Sequence, residues 1–283
     1  MSLPPATGAV ELVSYKQHVV HLLTQKKRLD ERPFDVIRTP HILHDTKGGA
    51  KADSVLASTL YTDEAGTCVN CTVSGVFGPP PSQHPEEGRL TVNVAAPFFP
   101  SYITDKVERA LRETAWFVRS TIISCMDLTE LSVFSGEACW VLQVELVVLN
   151  ADGGLRAAAL HAAVAALHNL MLPKARLPNG DIVESKHLRF HRVPVAATIG
   201  VFGAAATGDL CLLFDTNAAE ESVVDGLVTV VLDESDGIVT LLHHGRFPLL
   251  APFLTGMIDA FASRSAALRS AILKTSTPPI GSS

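Results

Sequence analysis

The sequence has little charge and no surplus of positive charge. Charged residues make up 18% of the chain, and 23 Lys and Arg stand against 29 Asp and Glu, a formal net charge of −6. Autonomous nucleic-acid binding modules neutralise phosphates with a strongly basic domain. The balance here speaks against that class, while leaving room for a local basic stripe inside a larger assembly. Cysteines are odd in number and scattered: Cys68, Cys71, Cys125, Cys139 and Cys211. That pattern excludes a disulfide framework and predicts reduced thiols. Residues 1–10 show no basic stretch followed by an apolar core, so no secretory signal is visible. Apolar runs are broken by Glu, Asp, His or Gly well before the ~18 residues that a membrane helix needs. The expectation is a soluble, intracellular protein with no membrane partner. A short repeat period of the solenoid kind is also missing.

What the chain has is apolar content. It has 283 residues and is 47% hydrophobic, enough for one large domain or two small ones. Its mean hydropathy is positive. That is high for a lone soluble protein and points to apolar surface covered by partners. A buried core rich in Ala and Val gives the same numbers.

Periodicity predicts a helix over 10–27, with Val13, Val19, Val20, Leu22 and Leu23 on its apolar side. The charged segment Arg28-Leu29-Asp30-Glu31-Arg32 follows. Strands are predicted over 34–38, 54–61, 67–77 and 89–95, with a turn at Asp45-Thr46-Lys47-Gly48-Gly49 and a loop at Gly78-Pro79-Pro80-Pro81. Ser101 or Thr104 caps a helix reaching about 123, with Val107, Ala110, Leu111 and Phe117 inward. A strand pair is expected over 129–133 and 138–149. Asp152-Gly153-Gly154 is a tight turn into an Ala-rich helix over 155–171, ended at Leu172-Pro173. Further strands are predicted at 193–201, 210–214, 226–232 and 238–243, then a helix over 247–273. The reading is an α/β (α+β) protein with mixed sheets. A helical extension (1–24) precedes one domain (25–273) made of two related halves, about 25–172 and 173–273, and residues 274–283 form a disordered tail.

Metal and redox motifs carry little here. Cys68-Val69-Asn70-Cys71 has C-x-x-C spacing, but it lies in a predicted strand that turns the two thiols to opposite faces. His243-His244 face opposite sides for the same reason, and His187 and His191 would need a helix where a strand begins. His161 and His168 share a face of the Ala-rich helix, expected at its partly exposed edge. No metal site and no cofactor is predicted. Basic residues gather in two places, Lys26, Lys27, Arg28 and Arg32, and more loosely Lys174, Arg176, Lys186, Arg189 and Arg192.

Several strings resemble the ribonuclease PH-like fold, which is ribosomal S5 domain 2-like. Arg28-Leu29-Asp30-Glu31-Arg32 is similar to its opening R-x-D-G-R, with Glu31 where Gly is usual. Asn150-Ala151-Asp152-Gly153-Gly154-Leu155-Arg156-Ala157 is similar to its strand-to-helix turn, and Arg192-Val193-Pro194-Val195-Ala196 to its V-P-V-A strand. The run Asp215-Thr216-Asn217, then Glu220-Glu221, resembles the D-x-T/S-x-x-E-E of the second, non-phosphorolytic class of ring subunit of the eukaryotic RNA exosome. The similarity runs from about 25 to 272. It implies structural roles for Asp30, Arg32, Asp215, Thr216, Glu220 and Glu221. It further implies a non-catalytic ring subunit that supports 3′→5′ RNA processing and degradation, including rRNA maturation. The implied partners are a paralogue, as a side-by-side heterodimer in a six-membered ring, S1/KH cap proteins, and RNA without sequence preference. The implied location is nucleus, nucleolus and cytoplasm.

Active members of that fold cleave RNA with inorganic phosphate. The phosphate must be held by N–H groups at a helix N-terminus, by a hydroxyl and by arginine, and an acid must serve the leaving oxygen. Gly154, Leu155 and Arg156 supply the helix start, but Leu155 has no hydroxyl. Phe99 and Pro100 stand where an arginine pair is expected. Arg192 stands where the acid is expected, and a guanidinium is no general acid near neutral pH. The sequence therefore predicts no catalytic residue. Phosphate or RNA contacts are expected from Gly154, Arg156, Lys174, Arg176, Arg189 and Arg192. Two rivals remain at this stage. One is an active phosphate-dependent exoribonuclease using Asp181 or Glu184 as the acid. The other is an S5-fold RNA-binding module outside the exosome.

Overall fold

The computed structural model describes residues 7–45, 54–98, 104–176, 180, 182–203, 210–245 and 251–274. The N-terminal helix α1 spans Thr7–Thr24. The first sheet holds β1 (His41–Asp45), β2 (Val55–Thr62), β3 (Cys68–Gly78), β4 (Arg89–Ala95), β5 (Ser132–Phe134) and β6 (Ala138–Asn150), in the order β1-β2-β3-β6-β4 with β5 beside the start of β6. All its pairings are antiparallel except β4 with β6. Helix α2 (Thr104–Cys125) connects β4 to β5, and α3 (Leu155–His168) follows β6. Two short ribbons come next: β7 (Met171–Leu172) with β10 (Lys186–His187), and β8 (Ala175–Arg176) with β9 (Ile182–Val183). The second sheet, antiparallel throughout, orders β11 (Val195–Gly203), β12 (Leu210–Phe214), β13 (Gly226–Leu232) and β14 (Ile238–Gly245) as β12-β11-β13-β14. A single helical turn, α4 (Ala218–Glu221), links β12 to β13, and α5 (Ala251–Leu273) follows β14.

Patterning explains the layers. Strand β4 alternates, with Leu90 and Val92 buried and Arg89, Thr91 and Asn93 exposed. Most of β6 does the same, burying Leu142, Val144, Leu146 and Val148 while Gln143 and Glu145 face out. In β11 every residue from Val195 to Phe202 is buried, so both its faces are covered. Helix α3 is buried at every position from Ala158 to Leu167. A helix apolar all round belongs inside. It packs on β2 and β3 of one sheet, on β11 of the other, and on α2 and α5. Its alanines let the backbones approach closely, and one continuous core runs through both halves.

Several expectations need correction. Residues 34–38 are not a strand; the edge strand of the first sheet is β1, a few residues later. Val20 on α1 and Ala110 on α2 are exposed, and α2 buries Thr114, Phe117, Val118, Thr121, Ile122 and Cys125 instead. The Ala-rich helix stops at His168, because Asn169 caps it and Met171 enters β7. His161 is buried in the core and not at the helix edge. Thr46–Gly49 of the expected turn, and residues 275–283 of the expected tail, lie outside the described residues. Cys71 is fully buried while Cys68 is half-buried, as the strand alternation required, and all five cysteines are free. Among the described residues no group of three or more His, Cys, Asp or Glu can hold a metal ion, and no helix is long and apolar enough to cross a membrane.

Candidate functional site: an arginine clasp beside a helix N-terminus

The charged segment after α1 crosses to the end of β12 and is locked there. Arg28 Nε donates to Glu220 Oε1 at 2.8 Å and Nη2 to Glu220 Oε2 at 2.6 Å. Its Nη1 donates to the Phe214 carbonyl and its Nη2 also to the Asp215 carbonyl, each at 2.9 Å. Both side chains of this pair are 0% exposed. Such burial is tolerable only when the charges face each other and the remaining donors are bonded. Glu220 Oε2 also accepts from Asn217 N–H, while Asn217 Oδ1 accepts from Glu220 N–H, a capping box that starts α4.

Asp215 is the second anchor. Its backbone takes the left-handed conformation, φ 52°. Arg38 grips its carboxylate in two-pronged fashion, Nε to Oδ2 and Nη2 to Oδ1, both at 2.7 Å, and Arg38 N–H adds a third bond at 2.8 Å. Arg32 approaches the same carboxylate at 3.3 Å and pairs with Asp30 at 2.6 Å. Burial alone pushes the Asp215 carboxyl up, but the bonds and charge of Arg38, helped by Arg32, outweigh it and hold the carboxyl below the usual range. Of the cluster Lys26, Lys27, Arg28 and Arg32, the two lysines are exposed and the two arginines are spent in the clasp.

The turn before α3 sits against this clasp. Gly153 has φ 76°, and a Cβ there would meet the Thr216 carbonyl at 2.1 Å, so glycine is required. Gly154 N–H donates to Glu221 Oε1 at 2.7 Å, and the Thr216 hydroxyl reaches the same oxygen at 3.4 Å. Burial raises the Glu221 carboxyl, opposed by the Gly154 and Thr216 bonds and by the charges of Arg156 and Arg38. Arg156 itself pairs with Glu113 of α2 at 3.2 Å. Leu155 packs against the core. An anion is thus already held at this helix start by an N–H group, a hydroxyl and nearby arginines, and the chain supplies it.

Other expected site residues lie elsewhere. Arg192 Nη2 donates to the Ser124 carbonyl at 2.6 Å, and its Nη1 lies 4.0 Å from Asp233. Ser124 and Glu113 are about three turns apart on α2, roughly 16 Å along the axis. Arg192 is therefore not brought to Arg156, and the two do not form one phosphate site. Lys174 pairs at 2.7 Å with Glu184, both well exposed, so Glu184 stands on the surface ribbon rather than at the α3 turn. Arg176, Lys186 and Arg189 are exposed along the same ribbons. Phe99, Pro100 and Asp181 lie outside the described residues. Arg38, Glu113 and Asp63 were missed in the sequence. Arg38 Nη1 lies 3.7 Å from the Asp63 carboxylate, yet none of the three belongs to a spaced motif. Asp225, at the start of β13 and accepting from Gly203 N–H at 2.8 Å, had a signal in the Asp225-Gly226 step after the Glu220-Glu221 pair.

Fold and site together define a two-sheet α/β protein whose buried helix begins at a glycine turn facing a carboxylate. Residues 53–173 match the model of the 3′ exoribonuclease family, domain 1, and residues 192–249 match that of domain 2. The chain belongs to the 3′ exoribonuclease, or ribonuclease PH, family. Its relatives include the exosome complex component Rrp42 of Archaeoglobus fulgidus, 26% identical over 90% of this chain and 94% of that protein. Human exosome complex component RRP45 is 27% identical over 83% of this chain, which spans only 53% of that longer protein. Among solved structures, an archaeal exosome core aligns with TM-score 0.77 at 25% identity, covering 94% of this chain and 98% of the other. The Archaeoglobus fulgidus exosome with RNA bound to the active site aligns with TM-score 0.76 at 26% identity, covering 92% and 98%.

Two outcomes follow for the clasp. Arg28→Met leaves Glu220 buried without its counter-charge and is expected to cost about 3–5 kcal/mol, whereas the double variant R28M/E220Q recovers part of that loss; urea unfolding of the three proteins measures both. Acid sensitivity is expected to begin above the carboxylate range. Burial holds His161 neutral, with its pKa lowered from 6.5 to about 4. The unfolded chain therefore takes up a proton that the folded one refuses between those values. This contribution is complete above pH 6.5 and is lost as pH falls toward 4, about 3 kcal/mol in all. His161→Gln should flatten the drop in unfolding midpoint between pH 7.5 and pH 5.

Proposed function

We propose that this chain is a structural subunit of the ring at the core of an RNA exosome, supporting 3′→5′ RNA processing and degradation, rRNA maturation included. The relatives that match it over nearly their whole length are exosome components, and the fold matches exosome cores end to end. Within that role the chain contributes no phosphorolytic chemistry of its own. The observation that carries this reading is the internal neutralisation of the α3 turn. Glu221 takes the Gly154 N–H, Glu113 takes Arg156, and Leu155 offers no hydroxyl. An incoming phosphate would have to displace the Glu221 carboxylate to reach the Gly154 N–H, and like charges at that range repel.

Ring membership accounts for the apolar surface. Phe98 is 71% exposed and Trp116 62%, values that suit side chains covered by a paralogous subunit or a cap protein. Lys174, Arg176, Arg189 and Arg192, on and after the exposed ribbons, are the groups we assign to sequence-independent contact with RNA phosphates. Asp30, Arg32, Asp215, Thr216, Glu220 and Glu221 hold the fold. The organisation into halves of about 25–172 and 173–273, and residence in nucleus, nucleolus and cytoplasm, belong to the same reading.

Two measurements test it. Native mass spectrometry of the tagged chain from its own cells is expected to give a hetero-oligomer with one copy of this subunit; a homohexamer would contradict that. The purified chain, given oligoadenylate and inorganic phosphate, is expected to release no nucleoside diphosphate. Phosphate-dependent release would end the claim of silence.

A further inference from the structure

Helix α2 turns Thr114, Phe117, Val118, Thr121, Ile122 and Cys125 into the core. At about 100° per residue, the side of the helix opposite these is the row Arg109, Arg112, Trp116 and Arg119. All four are exposed, Trp116 to 62%. Polar residues belong on the outward side of a surface helix, and an indole there leaves a large apolar face in water. The arginines frame it at the three- and four-residue spacing of helix-surface neighbours. From Arg109 to Arg119 the row is about 15 Å long.

The charges of the row are only loosely engaged. Arg112 lies 3.9 Å from Glu108, and both side chains are well exposed, 78% and 58%. A pair so open to water is worth little. Arg119 gives its Nε–H to the Leu90 carbonyl at 3.0 Å. Arg109 has no hydrogen bond or ion pair among the described residues. Glu113, the carboxylate three residues before Trp116, is taken by Arg156.

We infer that this row docks a neighbouring protein subunit, whose matching surface is an apolar pocket for the Trp116 ring, rimmed by Asp and Glu side chains that meet the arginines. The neighbour is a member of the ring, so the assignment rests on the ring membership proposed above and adds the face and the chemistry of one contact. Trp and Arg are the side chains that most often carry the binding energy where two protein surfaces meet. A polyanion suits the row less well. Helix α2 also carries Asp105, Glu108 and Glu113, and the row itself holds no lysine. A phosphate chain laid along it would face those carboxylates, whereas a protein surface of mixed charge can pair with both signs.

Hydroxyl-radical footprinting tests this. The tagged full-length chain is purified with its partners from its own cells, treated with ribonuclease, and compared with the same chain alone. Trp116 is expected to oxidise about tenfold more slowly in the complex, as an indole sealed from water by its partner does. Trp140, 5% exposed, serves as the internal reference and stays slow in both states. Equal oxidation of Trp116 in the two states would overturn the inference and leave ring membership standing. Protection that vanishes with ribonuclease would overturn it too, because RNA would then be the cover. A chain that brings down no partner would end both readings together. Variants supply a second measurement. Trp116→Ala and R109E/R112E are expected to leave the complex at lower salt than the unsubstituted chain, with the urea midpoint of each isolated variant unchanged. Release of both variants at the same salt as the unsubstituted chain counts against the docking surface.

Discussion

Arg28 sits where no solvent reaches it, and its charge is met by the Glu220 carboxylate and two backbone carbonyls. Taking a guanidinium and a carboxylate out of water costs several kcal/mol for each ion. Four hydrogen bonds and direct attraction offset that cost only in one geometry, so the pair acts less as a source of net stability than as a constraint on register. Much else hangs from it. Glu220 also closes the capping box of α4, and that turn sets the position of the next residue, Glu221. Glu221 then reaches the start of α3. A bond made by the segment after α1 thus decides, three steps on, what faces the central helix.

That chain of dependence bears on function. A helix N-terminus with glycine before it and arginine after it is a ready anion cradle, and here the anion comes from the same polypeptide. Charges in the junction are balanced internally: Arg28 by Glu220, Arg38 by Asp215, Arg156 by Glu113. Exposed basic residues include those of the ribbons between α3 and β11.

The fold was legible in the sequence wherever periodicity was strong. Strand β4 fell where its alternation placed it, β12 where its short apolar run placed it, and α2 within a few residues. The Gly153-Gly154 turn and the acidic pair Glu220-Glu221 were visible as motifs. Residues 34–38 failed because a β-rich composition there serves a different end: the segment is pulled across the clasp by Arg38 rather than into a ladder. His161 failed because helical spacing tells which residues share a face, not how many sheets cover it. Arg192 stands apart from the α3 turn, bonded to the Ser124 carbonyl near the end of α2. Its string resembled a family motif, but nothing in that string told which turn of α2 it would meet. Contacts such as Arg156 with Glu113 join positions with no local signature, so only the packed molecule discloses them.

Helix α3, enclosed on every side, has a consequence for how the molecule comes into being. Its ten consecutive buried residues find cover only when both sheets and both long helices are present. Neither half can hold it alone without leaving an alanine-rich cylinder in water. The two family domains therefore share one core, and parting them at the seam would uncover α3. A lesion in either half is felt in the other, and a ring built from such pieces gains or loses each subunit whole.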